Sequence, residues 1–373
     1  MNKKLDIGID IRMFRSTGIG TYLRGLVGGI HELNGFRARS YGFFGTGIDE
    51  DFYPQVPRSV FDASIYSLKE QRLYPELLSR CRVWHAPHYN VPIFKPRGTR
   101  LIVTIHDLIH WVFRKQFFSP IQRVYAAWMF RTAVRNADHL ITVSHHTQKD
   151  IVHYFGADPR KISVIHEAAD SRFTASRDEA AVTALRNKYA LTKPYFLFVG
   201  SLKPHKNVQS IIPLFRALHR ENPNQAELVL AGRKDKRYPR GLELLQNLAD
   251  GEGIRLLTRV ADEELKALYQ GAAALIHPAL YEGFGLTLLE AMGSGTPVIA
   301  SPRASVPEVT GDAACLVDSS QDHAMMQAIR RILNDPAYRA DLVQRGLRRA
   351  SQFTWRATAS QTLDIYERVL TAR

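Results

Sequence analysis

Two carboxylates, Glu282 and Glu290, stand eight positions apart in the stretch Tyr281-Glu282-Gly283-Phe284-Gly285-Leu286-Thr287-Leu288-Leu289-Glu290, on either side of a glycine-bracketed turn. The residues before it, Ala273-Ala274-Leu275-Ile276-His277-Pro278, read as a short buried strand, and Leu286 to Met292 carries good helix formers. Glu282 therefore falls on the loop and Glu290 inside the helix, as an exposed carboxylate in a crevice. Gly283 and Gly285 admit torsions and close approaches that larger residues obstruct, so the first N–H groups of the helix can face an anion such as a diphosphate. A second set, Gly200-Ser201-Leu202-Lys203-Pro204-His205-Lys206-Asn207, follows the apolar run Tyr195 to Val199. In it Lys206 is a compact cation suited to phosphate, in a contact worth about 1.5–3 kcal/mol. Gly18-Ile19-Gly20-Thr21-Tyr22 follows another strand, and Thr104-Ile105-His106-Asp107 closes a third with a histidine that is either a site group or a buried strand-ending residue. Such loops, each beyond the carboxyl end of a strand, suit a nucleotide-sugar site.

The stretch from Tyr281 to Glu290 resembles the E-x7-E motif of family-4 retaining glycosyltransferases, which have the two-domain GT-B fold. The segments at Gly200–Asn207, Gly18–Tyr22 and Thr104–Asp107 resemble that family's diphosphate loop, N-terminal glycine turn and active-site histidine strand. Thr142-Val143-Ser144 and the run from Gly295 through Pro307-Glu308-Val309 to Val317-Asp318 extend the likeness over most of the chain. The resemblance implies that Glu290 accepts the ribose hydroxyls, that Glu282 orients the donor sugar beside the N–H groups of Phe284, Gly285 and Leu286, and that His106 contacts the sugar from the other domain. It adds Gly18, Gly20, Gly200, Ser201, Lys206, Arg233 and Thr287 as donor-binding residues, with His106, Glu282 and Lys206 as the catalytic set. The family often has an arginine where this chain has Ser201, and His205, Arg233 or Lys234 can supply the second charge. In retaining transferases of this fold the departing diphosphate itself takes the acceptor's proton, so the protein stabilises leaving-group charge and needs no nucleophile of its own. Likeness of the Tyr281–Val317 region to bacterial mannosyltransferases implies transfer of mannose from GDP-mannose to a lipid-linked or polysaccharide acceptor. The alternatives are a UDP-sugar-dependent glucosyl or N-acetylglucosaminyl transferase and a catalytically silent sugar-nucleotide-binding scaffold.

Other spacings lead away from metal and nicotinamide chemistry. Asp49-Glu50-Asp51 is formally a D-x-D but reads as a solvated acidic turn, and the pairs His85/His88, His106/His110 and His145/His146 lack the ligand mix of a zinc site. Neither a metal nor another cofactor is expected. Gly18-Ile19-Gly20 followed by Gly25 misses the G-x-G-x-x-G spacing, and no acidic residue ends Tyr41–Phe44.

These residues must be held by α/β units, because short β-rich runs alternate with helical segments along the chain. Strands are expected at 5–10, 38–44, 83–86, 101–105, 140–143, 162–165, 195–200, 227–231, 255–257, 273–276, 298–300 and 315–317. Helix 18–33 is weakened by Gly25, Gly28 and Gly29. With 373 residues, two domains are expected. These are an N-terminal Rossmann-like domain at 1–174, a linker at 175–192 and a C-terminal nucleotide-sugar domain at 193–354. The resemblance implies two doubly wound domains facing each other across a cleft, with helix 355–373 crossing back onto the first.

Hydrophobic residues at 45% and charged residues at 23% are globular values. Only Cys81 and Cys315 are present, the N-terminus lacks the apolar stretch of a secretory signal, and no run approaches about 20 apolar residues. A cytoplasmic protein is expected. Its net charge of +14 calls for an anionic partner. Between Trp111 and Arg135, Arg114, Lys115, Arg123, Arg131 and Arg135 interleave with seven aromatic residues. That mixture suits either the inner face of an anionic membrane or an amphipathic core helix with snorkelling arginines. Nucleic acid is not expected. The partners are a nucleotide-sugar donor, a glycan or polyprenyl-diphosphate-linked acceptor, and anionic lipid.

Overall fold

A computed structural model describes residues 4–33, 40–45, 53, 55–117, 119–232 and 252–371. The chain forms two compact units, Met1–Ala168 with Thr354–Arg373, and Ala169–Phe353. In the first, strands β1 (Leu5–Asp10), β2 (Tyr41–Phe44), β3 (Arg58–Ser59), β4 (Cys81–Ala86), β5 (Arg100–Ile105), β6 (His139–Thr142) and β7 (Ile162–Val164) build one sheet in the order β3-β2-β1-β4-β5-β6-β7. Every pairing is parallel, with Ile7 opposite Tyr41 on one side and Val83 on the other. Alternation along each strand divides the core between two faces. Trp84, Leu101, Val103 and Leu140 pack on one, and Ile7, Ile9, Val83, Ile102 and Ile141 on the other.

Helix Gly18–Glu32 forms in spite of its glycines, and the terminal helix Trp355–Thr371 explains two of them. A Cβ on Gly25 would lie 2.1 Å from the Trp355 ring, and one on Gly29 would lie 2.5 Å from the Trp355 carbonyl oxygen. The loss of helix propensity is offset by close helix packing, which seats Ala359, Leu363 and Tyr366 in the core of the first unit.

The second unit contains β8 (Tyr195–Val199), β9 (Glu227–Ala231), β10 (Ile254–Leu257), β11 (Ala274–His277), β12 (Val298–Ala300) and β13 (Cys315–Leu316), ordered β10-β9-β8-β11-β12-β13 and again parallel. Residues 175–192, expected as a linker, lie within this unit. Helix Glu179–Lys188 buries Val182 and Leu185, Leu191 is buried after it, and Asp178 caps its start by accepting from Ala181 N–H at 2.9 Å. Apolar residues at these helical spacings fold the segment down, and its polar surface composition conceals them.

Strand order reverses between β1 and β4 in the first sheet and between β8 and β11 in the second. Crevices for ligands open beyond the carboxyl ends of strands at such reversals.

Candidate functional site

At the second reversal, the loops after β8 and β11 are tied together. The Gly200 N–H donates to Ala231 O at 3.0 Å, and the chain then turns through Pro204–Lys206. Leu280 N–H donates to His205 O at 2.7 Å, joining this turn to the other loop. Asn207, at φ 52°, donates from Nδ2 to Ser319 Oγ at 3.0 Å. This places Lys206 Nζ on Glu282 Oε1, in a pair whose side chains are 17% and 9% exposed. His277, at the end of β11, brings Nε2 to 3.0 Å from the same oxygen without hydrogen-bonding alignment.

Burial alone would raise the Glu282 carboxyl. The charge of Lys206, together with His277 and His205, outweighs burial and holds it far below the usual carboxylate range. Lys206 and Glu282, given separate tasks by the sequence reading, thus share one buried ion pair. A diphosphate reaching Lys206 must share its ammonium, which has three donors.

The loop from Glu282 is held from behind by Ser305, whose hydroxyl lies 3.0 Å from Glu282 O and 2.9 Å from Phe284 O. Gly285 has φ +102°, and a Cβ there would meet Leu288 Cδ1 at 2.8 Å, so this position needs glycine on both counts. Helix Leu286–Gly293 starts directly after it with no side-chain cap. Thr287 Oγ1 is buried at the same helix start and has no hydrogen-bond partner among the described residues. An anion here would meet uncapped helix-start N–H groups and the Thr287 hydroxyl.

Glu290, four residues into the helix, is half-buried and not the exposed carboxylate expected. Tyr269 Oη donates to its Oε2 at 2.8 Å. Burial pushes its carboxyl up to about 7, with Asp170 and Asp262 adding to the rise and the Tyr269 hydrogen bond and Arg172 opposing it. Ser201 is half-buried beside Gly200. Arg233 and Lys234, and the acidic turn 49–51, lie outside the described residues.

In the first unit, Gly18 and Gly20 open the helix after β1, and a Cβ on Gly20 would come within 2.6 Å of Phe14 O. His106 follows β5, with Nδ1 3.0 Å from Glu167 Oε1, Nε2 3.1 Å from Pro87 O and the edge of the Tyr22 ring system 4.8 Å away between centroids. Both ring nitrogens are therefore engaged, and to offer a nitrogen to a sugar His106 must release one partner. Sequence reasoning missed Glu167, Tyr269, His277 and Ser305. Glu167 and His277 lie at or just past the carboxyl ends of β7 and β11, where the rule for parallel sheets points. Tyr269 and Ser305 carry no signal of their own.

Residues 16–173 match the family model described as Glycosyltransferase Family 4, and residues 182–349 match the model described as Glycosyl transferases group 1. O-antigen chain mannosyltransferase B of Escherichia coli is 30% identical over 287 residues, covering 76% of this chain and 74% of the relative. The chain belongs to the GT-B glycosyltransferases. Solved structures agree on the transferase's fold. Sucrose-phosphate synthase from Thermosynechococcus elongatus superimposes with a TM-score of 0.75 at 20% identity, covering 99% of the transferase and 100% of that chain. Anabaena HepE in complex with UDP-glucose superimposes with a TM-score of 0.74 at 17% identity, covering 98% and 100%. Among the described residues of the transferase, no helix is long and apolar enough to cross a membrane.

Proposed function

We propose that the transferase is a family-4 retaining enzyme that moves mannose from GDP-mannose to a lipid-linked or polysaccharide acceptor in O-antigen-type glycan assembly. The observation that carries this reading is the 30% identity to an O-antigen chain mannosyltransferase over three quarters of both chains. The second unit supplies groups suited to the donor. Lys206, the uncapped start of helix Leu286–Gly293 and Thr287 face the charge that grows on the departing diphosphate, while Glu290 addresses the ribose. In this reading Glu282 anchors Lys206 and orients the donor sugar. The leaving diphosphate takes the acceptor proton, so no protein nucleophile is invoked, and these cationic and N–H groups do the work without a bound metal.

Helix Pro120–Asn136 supports placement on an anionic membrane. It buries Ala126, Met129, Phe130 and Ala133, yet exposes Ile121, Val124, Tyr125 and Trp128, a second apolar stripe at i, i+3, i+4 and i+7. Lys115, Arg131 and Arg135 are exposed around it. A core helix with snorkelling arginines accounts for the first face and leaves the second without a role.

Thermal shift with GDP, UDP and ADP tests the donor. GDP at 100 times its dissociation constant should add about 2.7 kcal/mol, and product NMR should show a retained anomeric configuration in reactions that survive EDTA. Stabilisation by UDP alone points to the UDP-sugar alternative, and nucleotide binding without donor hydrolysis points to the scaffold.

A further inference from the structure

His85, His88 and His106 gather near the carboxyl ends of β4 and β5, and their partners differ in kind. His85 lies between two hydroxyls, with Nδ1 2.6 Å from Tyr366 Oη and Nε2 2.8 Å from Thr104 Oγ1, and a hydroxyl can donate or accept. His88 Nδ1 accepts the Asn90 N–H at 3.2 Å, and its Nε2 is 3.5 Å from the Tyr66 hydroxyl. Both rings are satisfied as neutral imidazoles. His106 is not. Its Nδ1 is 3.0 Å from Glu167 Oε1 and its Nε2 is 3.1 Å from Pro87 O, a carboxylate and a carbonyl that only accept.

A neutral imidazole has one N–H, so one ring nitrogen of His106 would turn its lone pair on an acceptor in a site where the His106 and Glu167 side chains are 13% and 5% exposed. Two N–H groups satisfy both contacts. The same proton on Glu167 would sit on the weaker base of the two. Titratable neighbours come from several elements: Glu167 beyond β7, His85 on β4, His88 in the loop after it, Tyr22 on helix Gly18–Glu32, and Asp107, whose Oδ1 accepts the Ile109 N–H at 2.8 Å. His166, the residue before Glu167, has its ring 6.1 Å from that of His145 at the start of helix His145–Phe155. Burial first and then the charge of His106 lower His85 and His88 to about 3, with His110 and Arg12 adding at His88. One histidine of the three therefore carries charge, and it is the one with a carboxylate.

We propose that Glu167 is a positioning residue that holds His106 as an imidazolium, so that His106 enters the reaction as a hydrogen-bond donor and not as a base. The proposal rests on the reading that His106 contacts the donor sugar. Of its two partners Pro87 O is neutral and Glu167 is charged, and charge-assisted hydrogen bonds are roughly twice as strong as neutral ones. A sugar hydroxyl therefore takes the place of Pro87 O and accepts from Nε2–H, while Glu167 keeps Nδ1–H and fixes the plane of the ring. An imidazolium has no lone pair for the acceptor's proton. That proton is left to the departing diphosphate.

The test uses the full chain labelled with nitrogen-15 histidine. Long-range proton–nitrogen correlation NMR at about pH 7.5 separates a protonated ring nitrogen from one bearing a lone pair, and the His106 signals are those missing in His106→Asn. Glu167→Gln keeps the size of the side chain and an acceptor oxygen and removes the charge, and unmoved His85 signals report the intact fold. The wild type should show two protonated nitrogens on His106 and Glu167→Gln only one. In GDP-mannose hydrolysis, the fall of turnover at alkaline pH should move down by about one to two pH units in Glu167→Gln, the size of a lost charge-assisted contact. A lone-pair-bearing nitrogen on His106 in the wild type overturns the proposal without any variant. So does a Glu167→Gln spectrum with both nitrogens still protonated, or a pH profile that the substitution does not move. Failure of wild-type GDP-mannose hydrolysis counts against the donor reading alone, since the spectra are read without donor.

Discussion

Lys206→Met should leave a buried carboxylate without its main counter-charge, and the cost should depend on pH in a defined direction. In the wild type Glu282 is depressed, so its stabilisation is present above the unfolded value of about 4.3 and lost as pH falls through the folded value. Without Lys206, burial is opposed only by His277 and His205, and the folded value rises toward the unfolded one. Because the unfolded state is common to both proteins, the variant's deficit should be full at pH 8 and at pH 5, shrink only as pH falls below the variant's folded value, and vanish near the depressed wild-type folded value. Breaking a buried pair by removing one partner costs about 3–5 kcal/mol. With His277 still 3.0 Å from Glu282 and His205 nearby, the low end, about 3 kcal/mol, is expected. Amide hydrogen exchange in β8 and β11 reads this locally, with protection falling on the order of 100-fold at pH 8 and at pH 5 and by less at about pH 3. All four tryptophans, Trp84, Trp111, Trp128 and Trp355, lie in the first unit, so their fluorescence during urea unfolding is an internal control that should not move. Lys206→Met/Glu282→Gln should recover much of the protection. A deficit already lost at pH 5, or a double variant no better protected than Lys206→Met, would refute the ion-pair account.

Glu290→Gln keeps an acceptor for Tyr269 and should weaken GDP binding by calorimetry. Because the folded carboxyl is raised to about 7 and the unfolded one lies at about 4.3, the same substitution should stabilise the second unit progressively between those two pH values and no further above pH 7, and a uniform loss of stability would contradict the raised value. His85, buried between Tyr366 Oη at 2.6 Å and Thr104 Oγ1 at 2.8 Å, is lowered to about 3 by burial and then by His106. Its protonation favours the unfolded chain, so the first unit should lose about 2.7 kcal/mol between pH 7 and 4.5 from this group, with a flatter tryptophan-monitored pH slope in His85→Gln. Sedimentation with anionic vesicles should fall steeply with salt, at about 1 kcal/mol per basic residue near the surface, and should fall again in Ile121→Ser/Val124→Ser. Salt-insensitive sedimentation would remove the bilayer reading.

The strands were legible because parallel strands buried on both faces read as dense apolar runs, as in Tyr195–Val199 and Leu101–Ile105. The loops that follow them were legible from glycine, lysine and carboxylate spacing. What could not be read was who meets whom. Lys206 and Glu282 are 76 positions apart, and their pairing depends on β8 lying beside β11, a neighbour relation set by the crossover helices and not by either strand's own residues. Gly25 and Gly29 looked like defects because propensity is local, whereas their partner Trp355 is more than 300 residues away. The residues Ile121, Val124, Tyr125 and Trp128 have helical spacing in the sequence, but so do Ala126, Met129, Phe130 and Ala133. Only the packed helix decides which stripe is buried.

Trp355–Thr371 has a further consequence for how the protein is made. The helix seals the face formed by Tyr22, Leu23, Leu26 and Ile30, yet it is made only after the whole second unit. At about 5–20 residues per second, synthesis of the intervening second unit takes on the order of 10–40 s. Throughout that interval the nascent first unit carries an uncovered apolar groove floored by Gly25 and Gly29. A premature stop before residue 355 would leave that groove permanently open, yielding a chain that contains every donor-site residue yet is prone to aggregate.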